Sequence, residues 1–229
     1  FSRRISSISM RKSMADLTAL ETRLRSLLDD PAGLRFSSTL LATAFSHALT
    51  EINHRQPRLM DSEFTVTLPG REQALSGLNE CFYLLHLARL DETSHQKLEP
   101  ETCFTYQLLG GIPVLHFRSE YIPQAGDRFT VCYASAHTLA GLDGASLTTL
   151  PAELENALVE GAAGQACALR AGSLLEAYGS RGEECAALLK LADYWHSVFL
   201  RSLAGLRVIQ EFGFPPGFLL DPWESRRVE

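Results

Sequence analysis

The sequence predicts an α+β fold, a four-helix bundle-like core carrying an inserted small antiparallel β module. Three observations predict it. Apolar residues recur at three- and four-residue spacing towards both ends of the 229-residue chain. Between about 59 and 147 the period shortens to two. Within that stretch two β-type runs flank Gly110-Gly111, a hairpin signature. The expected layout is a flexible basic arm over 1–13, a helical core from 14–58 and 148–210, the β module over 59–147, and a C-terminal docking tail over 211–229.

The first helix is expected from Ser13 to about Asp30, with Leu17, Leu20, Leu24, Leu27 and Leu28 as its apolar stripe. Ser13 and Asp16 supply a capping signal, and Pro31 and Gly33 stop the helix. Ser37 or Ser38 caps a second helix running to about His54, whose stripe is Leu40, Leu41, Ala44, Phe45, Ala48, Leu49 and Ile52. A short connection makes these two an antiparallel pair. About five strands are then expected. They are Phe64–Leu68, Cys81–Ala88, Phe104–Leu109, Ile112–Phe117 and Phe129–Ala134, with the polar stretch from Leu90 to Glu101 as a loop.

The helical period returns after Gly144. Thr148 or Thr149 is the expected cap, Pro151 lies in the first turn, and Glu153 and Glu155 suit the positive end of the helix dipole. This third helix runs to about Tyr178 through the small-residue segment Gly161–Ala168. A helical glycine costs about 1 kcal/mol against alanine, so Gly161 and Gly164, with Ala162 and Ala168, suggest a close approach. That approach is either to a neighbouring subunit or to another helix of the same chain. A last helix from Glu183 to about Arg207 sets Leu188, Leu191, Ala192, Trp195, Phe199, Leu203 and Leu206 on one face.

The tail differs in composition. Phe212, Phe214, Phe218, Leu219, Leu220 and Trp223 are apolar, but Pro215-Pro216 forbids a continuous helix. Such a tail is not a solvated polar terminus and requires a surface to pack on, in this chain or in a partner.

Composition excludes several classes. The net charge of -6 argues against a surface that grips nucleic acid or anionic lipid. No apolar run approaches the roughly 20 residues of a membrane span. The five cysteines, Cys81, Cys103, Cys132, Cys167 and Cys185, are widely spaced with no CxxC pair, so they indicate neither a zinc site nor a disulfide framework. The seven histidines are scattered, and no HExxH, GxSxG or GK[ST] motif is present. His86 and His116 fall on expected strands and could meet across a sheet. The residues therefore designate no catalytic, cofactor-binding or metal-binding position.

Two stretches carry a resemblance. One is Val131-Cys-Tyr-Ala-Ser-Ala-His-Thr-Leu-Ala-Gly-Leu-Asp-Gly-Ala-Ser-Leu-Thr-Thr-Leu-Pro151, leading through Glu155 to Glu160-Gly-Ala-Ala-Gly-Gln-Ala166. The other is Leu27-Leu-Asp-Asp-Pro31 followed by Arg35-Phe-Ser37 and a helix. Together they resemble head-to-tail adaptor (connector, head-completion) proteins of tailed bacteriophages and prophages, over about 14–55 and 126–207. The resemblance implies a structural, non-enzymatic virion protein at the capsid vertex or neck, assembled in the host cytoplasm. It implies a homo-oligomeric ring, commonly of twelve copies, docked under the portal protein and receiving a stopper or tail protein. Viral DNA would pass through the ring channel without sequence-specific contact, with no cofactor and no membrane. Some such adaptors clamp the portal with a terminal tail, which makes Phe212–Trp223 the candidate clamp. The alternatives are another neck component, such as a stopper or tail-terminator protein, or a small-ligand-binding or enzymatic β module.

Overall fold

The computed structural model describes residues 15–75, 77–78, 81–90, 95–98, 104–109, 112–118, 122–178 and 182–205. The expected arm over 1–13, the cap residue Ser13 and the tail over 211–229 lie outside these residues. The fold is α+β, with four helices and seven strands among the described residues. The chain divides into two compact units. One is built from the segments up to Gln56 and from His137 onward, the other from Pro57–Ala136.

The helical unit begins with α1 (Leu17–Leu27). Asp16 caps it, its carboxylate accepting from the Ala19 N–H at 2.8 Å. Leu20, Leu24 and Leu28 are buried along one stripe, whereas Leu27 is 39% exposed. Ser37 caps α2 (Ser38–Arg55), whose buried face is Leu41, Ala44, Phe45, Ala48, Leu49 and Ile52. α3 (Ala152–Tyr178) packs along α4 (Gly182–Gly205) and against α2, and α1 lies on α3 and α2. α3 and α4 run antiparallel, since Gly161 approaches Phe199 while the Cys185 thiol reaches the Ala171 carbonyl. Leu20, Leu41, Phe45, Ile52, Leu158 and Phe199 form the centre of this core. Burying side chains of this size contributes about 1.5–3 kcal/mol each.

Two expectations for these helices change. Thr148 and Thr149 do not cap α3, because their hydroxyls tie the preceding loop to the body of the unit. On α4, Ala192, Phe199 and Leu203 are buried, but Leu191 is 39% exposed, so the inward face is narrower than the apolar stripe.

The β unit holds seven strands in two antiparallel sheets, rather than about five in one module. β1 (Arg58–Thr65), β7 (Arg128–Ser135), β3 (Cys81–Leu90) and β4 (His95–Leu98) form one sheet in that order. β2 (Glu72–Ala74), β6 (Ile112–Phe117) and β5 (Phe104–Leu109) form the other. The two share one core. Phe129 of the first sheet lies 5.6 Å from Phe117 of the second, centroid to centroid, and stacks on Phe64 at 5.1 Å. β5 and β6 pair from Phe104↔Phe117 to Leu109↔Ile112, the hairpin expected around Gly110-Gly111. Two strand expectations fail. β1 begins at Arg58 and ends at Thr65, short of the expected Leu68, which is 76% exposed. The polar stretch after Leu90 contains β4, which pairs with Leu87–Leu90 at the sheet edge.

Candidate functional site

The residues behind the adaptor resemblance build two polar joints inside the helical unit. The first is the turn from α1 to α2. Asp29 and Gly33 adopt positive φ, 51° and 67°, which lets the chain reverse tightly. Asp30 sits inside the turn at 5% exposure and accepts from the backbone N–H groups of Leu34, Arg35 and Phe36 at 2.9, 3.1 and 2.9 Å. Burial alone would raise its pKa. The three N–H donors, helped by the nearby Arg35 charge, outweigh that and hold the carboxyl below its ordinary value of 3.8. Arg35 donates to the carbonyls of Leu28 and Asp29 at 2.6 and 3.2 Å. Arg25 donates to the Phe36 carbonyl at 2.9 Å and pairs with Glu21 at 2.7 Å. Leu28, Asp29, Asp30, Arg35 and Phe36 of the two runs are thus bonded within this turn, and Ser37 caps the helix that follows.

The second joint lies where the chain re-enters the helical unit. Asn53, 8% exposed near the end of α2, holds His137 by both backbone groups. Its amide oxygen accepts from the His137 N–H at 2.7 Å, and its amide nitrogen donates to the His137 carbonyl at 3.2 Å. The His137 ring faces two more carbonyls, that of Gln56 at 3.1 Å from Nε2 and that of Thr149 at 3.3 Å from Nδ1. Thr149 Oγ1 accepts from the Thr138 N–H at 2.8 Å. Thr148 Oγ1 donates to the Ala15 carbonyl at 2.7 Å and accepts from the Ala140 N–H at 3.1 Å. Asp143, at φ 49°, accepts from the Ser46 hydroxyl of α2 at 3.0 Å. The segment His137–Leu150 is therefore stitched to α2, to the start of α1 and to itself.

The small-residue face of α3 is a helix-packing surface within the chain. A Cβ on Gly161 would stand 3.1 Å from the Ala48 Cβ and from two Phe199 ring carbons. A Cβ on Gly164 would stand 3.2 Å from the Ala192 carbonyl oxygen and the His196 nitrogen, which are α4 backbone. Ala162 is fully buried, and Ala168 packs partly buried against the same core. Phe212, Phe214, Pro215, Pro216, Phe218, Leu219, Leu220 and Trp223 lie outside the described residues.

Three thiols among the described residues are held protonated. Burial pushes the Cys81 and Cys167 thiols up to about 11. Burial first, then the charge and hydrogen bond of Asp61, takes Cys132 to about 12. None of these supplies a thiolate at neutral pH. His86 and His116 do not meet across a sheet, because β3 and β6 belong to different sheets. His116 instead sits opposite Glu72, with Nδ1 3.4 Å from that carboxylate. Among the described residues, no group of three or more His, Cys, Asp or Glu side chains could hold a metal ion. A cavity of about 200 Å³ in the β unit is lined by Ser62, Glu63, Phe64, Thr67 and Gln73, among others. That is below the roughly 300–1,000 Å³ of small-molecule sites. Its carboxylate, Glu63, is already paired with Arg128 at 2.6 Å.

No family profile matches the chain, and no curated protein matches it. Among solved structures, it is similar to a chain from the neck of an empty GTA particle computed with C6 symmetry. That similarity covers 66% of this chain and 80% of the other, at 16% sequence identity and a TM-score of 0.31.

The sequence reading missed Asn53, Gln56 and Asp30 as structural anchors. Asp30 carried a readable signal, an aspartate before Pro31 and a few residues ahead of free backbone donors. Asn53 and Gln56 carried none, since their partners lie at least 80 positions away along the chain.

Proposed function

We propose that the chain is a head-to-tail adaptor of a tailed phage or prophage. It forms a ring under the portal protein, extends the DNA channel and receives a stopper or tail protein. The observation that carries this reading is the use made of the resembling residues. Asp30, Arg35, His137, Thr138, Asp143, Thr148 and Thr149 are committed to the two joints that frame the helical unit. A match in frame-building residues speaks for a shared scaffold and a structural role, since none of them is left facing a substrate. The net charge of -6 is compatible with a channel past which DNA slides, because phosphate-neutralising contacts would retard it.

In this reading Gly161, Ala162, Gly164 and Ala168 keep the helices close enough to form a stiff subunit, and Phe212–Trp223 is the segment that clamps the portal. The ring repeats one heterologous contact and closes, commonly at twelve copies. The protein belongs to the virion neck, is assembled in the host cytoplasm, and needs no cofactor or membrane.

The test is co-purification with the portal protein of the same particle. Full-length chain should co-elute with the portal, whereas a chain lacking 212–229 should retain its helical circular dichroism and fail to co-elute. Co-elution of both forms would remove the tail from the role of clamp. Binding to tail-tube protein in place of portal would favour the stopper or tail-terminator reading.

A further inference from the structure

α4 carries two apolar stripes, and one of them packs into the helical core. Cys185, Ala192, Phe199 and Leu203 are its buried residues. Ala187, Leu191, Tyr194 and Val198 follow one another at spacings of four, three and four residues, which sets them along a second line on the same helix. Leu191 is 39% exposed and Tyr194 54% exposed, Ala187 is exposed and Val198 is half-buried. Trp195 borders this line, its ring edge-on to that of Tyr194 with the centroids 5.1 Å apart. An exposed row of this kind, next to the buried one, marks a surface made to be covered.

We infer that the second stripe is the docking surface for this chain's own segment Phe212–Trp223, which runs back along α4 towards the N-terminal end of that helix. Residues 206–229 follow directly from Gly205, the last residue of α4. Val198 lies about 10 Å back from Gly205 along the axis, at 1.5 Å per residue. Residues 206–211 span up to about 20 Å when extended, enough to turn and set Phe212 beside Val198. From Ala187 to Val198 the stripe is about 16 Å long. Pro215-Pro216 favours an extended chain, in which the stretch from Phe212 to Phe218 covers about 19 Å. Charge favours the direction. Counting back from its C-terminal end, α4 exposes Arg201, then Lys190, then Glu184 and Glu183 of its first turn. Counting forward, the segment and its flanks carry Glu211, then Asp221, then Arg226-Arg227. The antiparallel course sets these opposite signs against each other in order, with Asp193, Glu224 and Glu229 outside the match. Against a second copy as occupant, the tether decides, because a segment on a short linker acts at an effective concentration of about millimolar. The contact belongs to the isolated chain and does not rest on the adaptor reading; within that reading, the free subunit stows its clamp on its own helix.

The experiment places the photo-crosslinking residue p-benzoyl-phenylalanine at Tyr194 in the otherwise full-length chain. Dilute protein is irradiated with no partner present, and the linked peptides are read by mass spectrometry. The expected result is a link from this position to a residue within 212–223, in a species of monomer mass. Links that double the mass on a denaturing gel would assign the stripe to a second copy and overturn the inference, as would the absence of any link to 212–223. A second measurement uses natural residues alone. Chymotrypsin should cut at the aromatic residues of Phe212–Trp223 at least about tenfold faster in Leu191→Ser/Tyr194→Ser than in wild type, because the loss of two apolar contacts weakens docking by that factor or more. Both positions are exposed, so the helical circular dichroism of the variant should match wild type. Equal cutting rates in the two folded chains would overturn the docking. Should the double variant fail to fold, the crosslink from Tyr194 decides alone.

Discussion

Replacing Asn53 by alanine removes the side chain that holds the return of the chain into the helical unit. Two hydrogen bonds are lost, at 2.7 Å to the His137 N–H and at 3.2 Å to the His137 carbonyl. Both backbone groups stay buried, because His137 is only 6% exposed and the alanine offers no replacement. Each buried backbone group left unpaired costs about 1–3 kcal/mol, so the pair amounts to about 2–6 kcal/mol. That is a large fraction of the roughly 5–15 kcal/mol typical of a domain. The assay is urea unfolding followed by helical circular dichroism, with Lys190→Ala on the exposed side of α4 as a control expected within about 0.5 kcal/mol. Asn53→Asp separates the two bonds: it keeps the acceptor, loses the donor and buries a charge, so it should also be destabilised. A loss below about 1 kcal/mol for Asn53→Ala would refute the reasoning, since the joint would then not be structural.

Further outcomes follow from other contacts. Asp30→Asn should destabilise the helical unit by about 1–3 kcal/mol, because a charged acceptor of three backbone donors becomes a neutral one. Since the Asp30 carboxyl is held below 3.8, its contribution is complete above that pH and fades as pH falls through the folded value. The gap in urea midpoint between wild type and Asp30→Asn should therefore be wide at pH 6 and narrow towards pH 2. Gly172→Ala, with open space around the added methyl, should stabilise α3 by about 1 kcal/mol. Gly161→Leu should instead destabilise by about 1–3 kcal/mol in thermal or urea unfolding, because even a Cβ there meets Ala48 and Phe199 at 3.1 Å. Cys81, Cys132 and Cys167 should resist a thiol reagent in the native protein at pH 8 and react once urea is added, as mass spectrometry of the labelled peptides would show.

The helices were legible because their apolar spacing is strong and their caps are local. Asp16 and Ser37 bond to backbone only three residues ahead, at a range that sequence spacing reveals. The β5–β6 hairpin was legible for the same reason, two apolar runs around Gly-Gly. The edge strands were not. His-Gln-Lys-Leu of β4 and Arg-Leu-Met-Asp-Ser-Glu of β1 lack the alternating apolar run that marks a strand in the sequence, and each is an edge strand, paired along one side in its sheet. Thr148 and Thr149 looked like caps because a hydroxyl ahead of a helix is a common cap. Their actual partners, Ala15 and Thr138, are set by the tertiary arrangement. His86 and His116 seemed able to meet because the sequence gives strands without saying which sheet each joins. The joint at His137 was visible only as part of a familiar stretch, since Asn53 and Gln56 gain their meaning from contacts more than 80 residues distant.

The central claim, a frame built for assembly at the neck of a phage-like particle, meets its most direct test in electron microscopy. Purified chain would be mixed with the portal protein of the same particle and the complexes imaged and averaged. The account predicts a closed ring of copies coaxial with the portal and continuing its channel. Unbound monomers beside bare portals, or density attached only to tail tube, would contradict it.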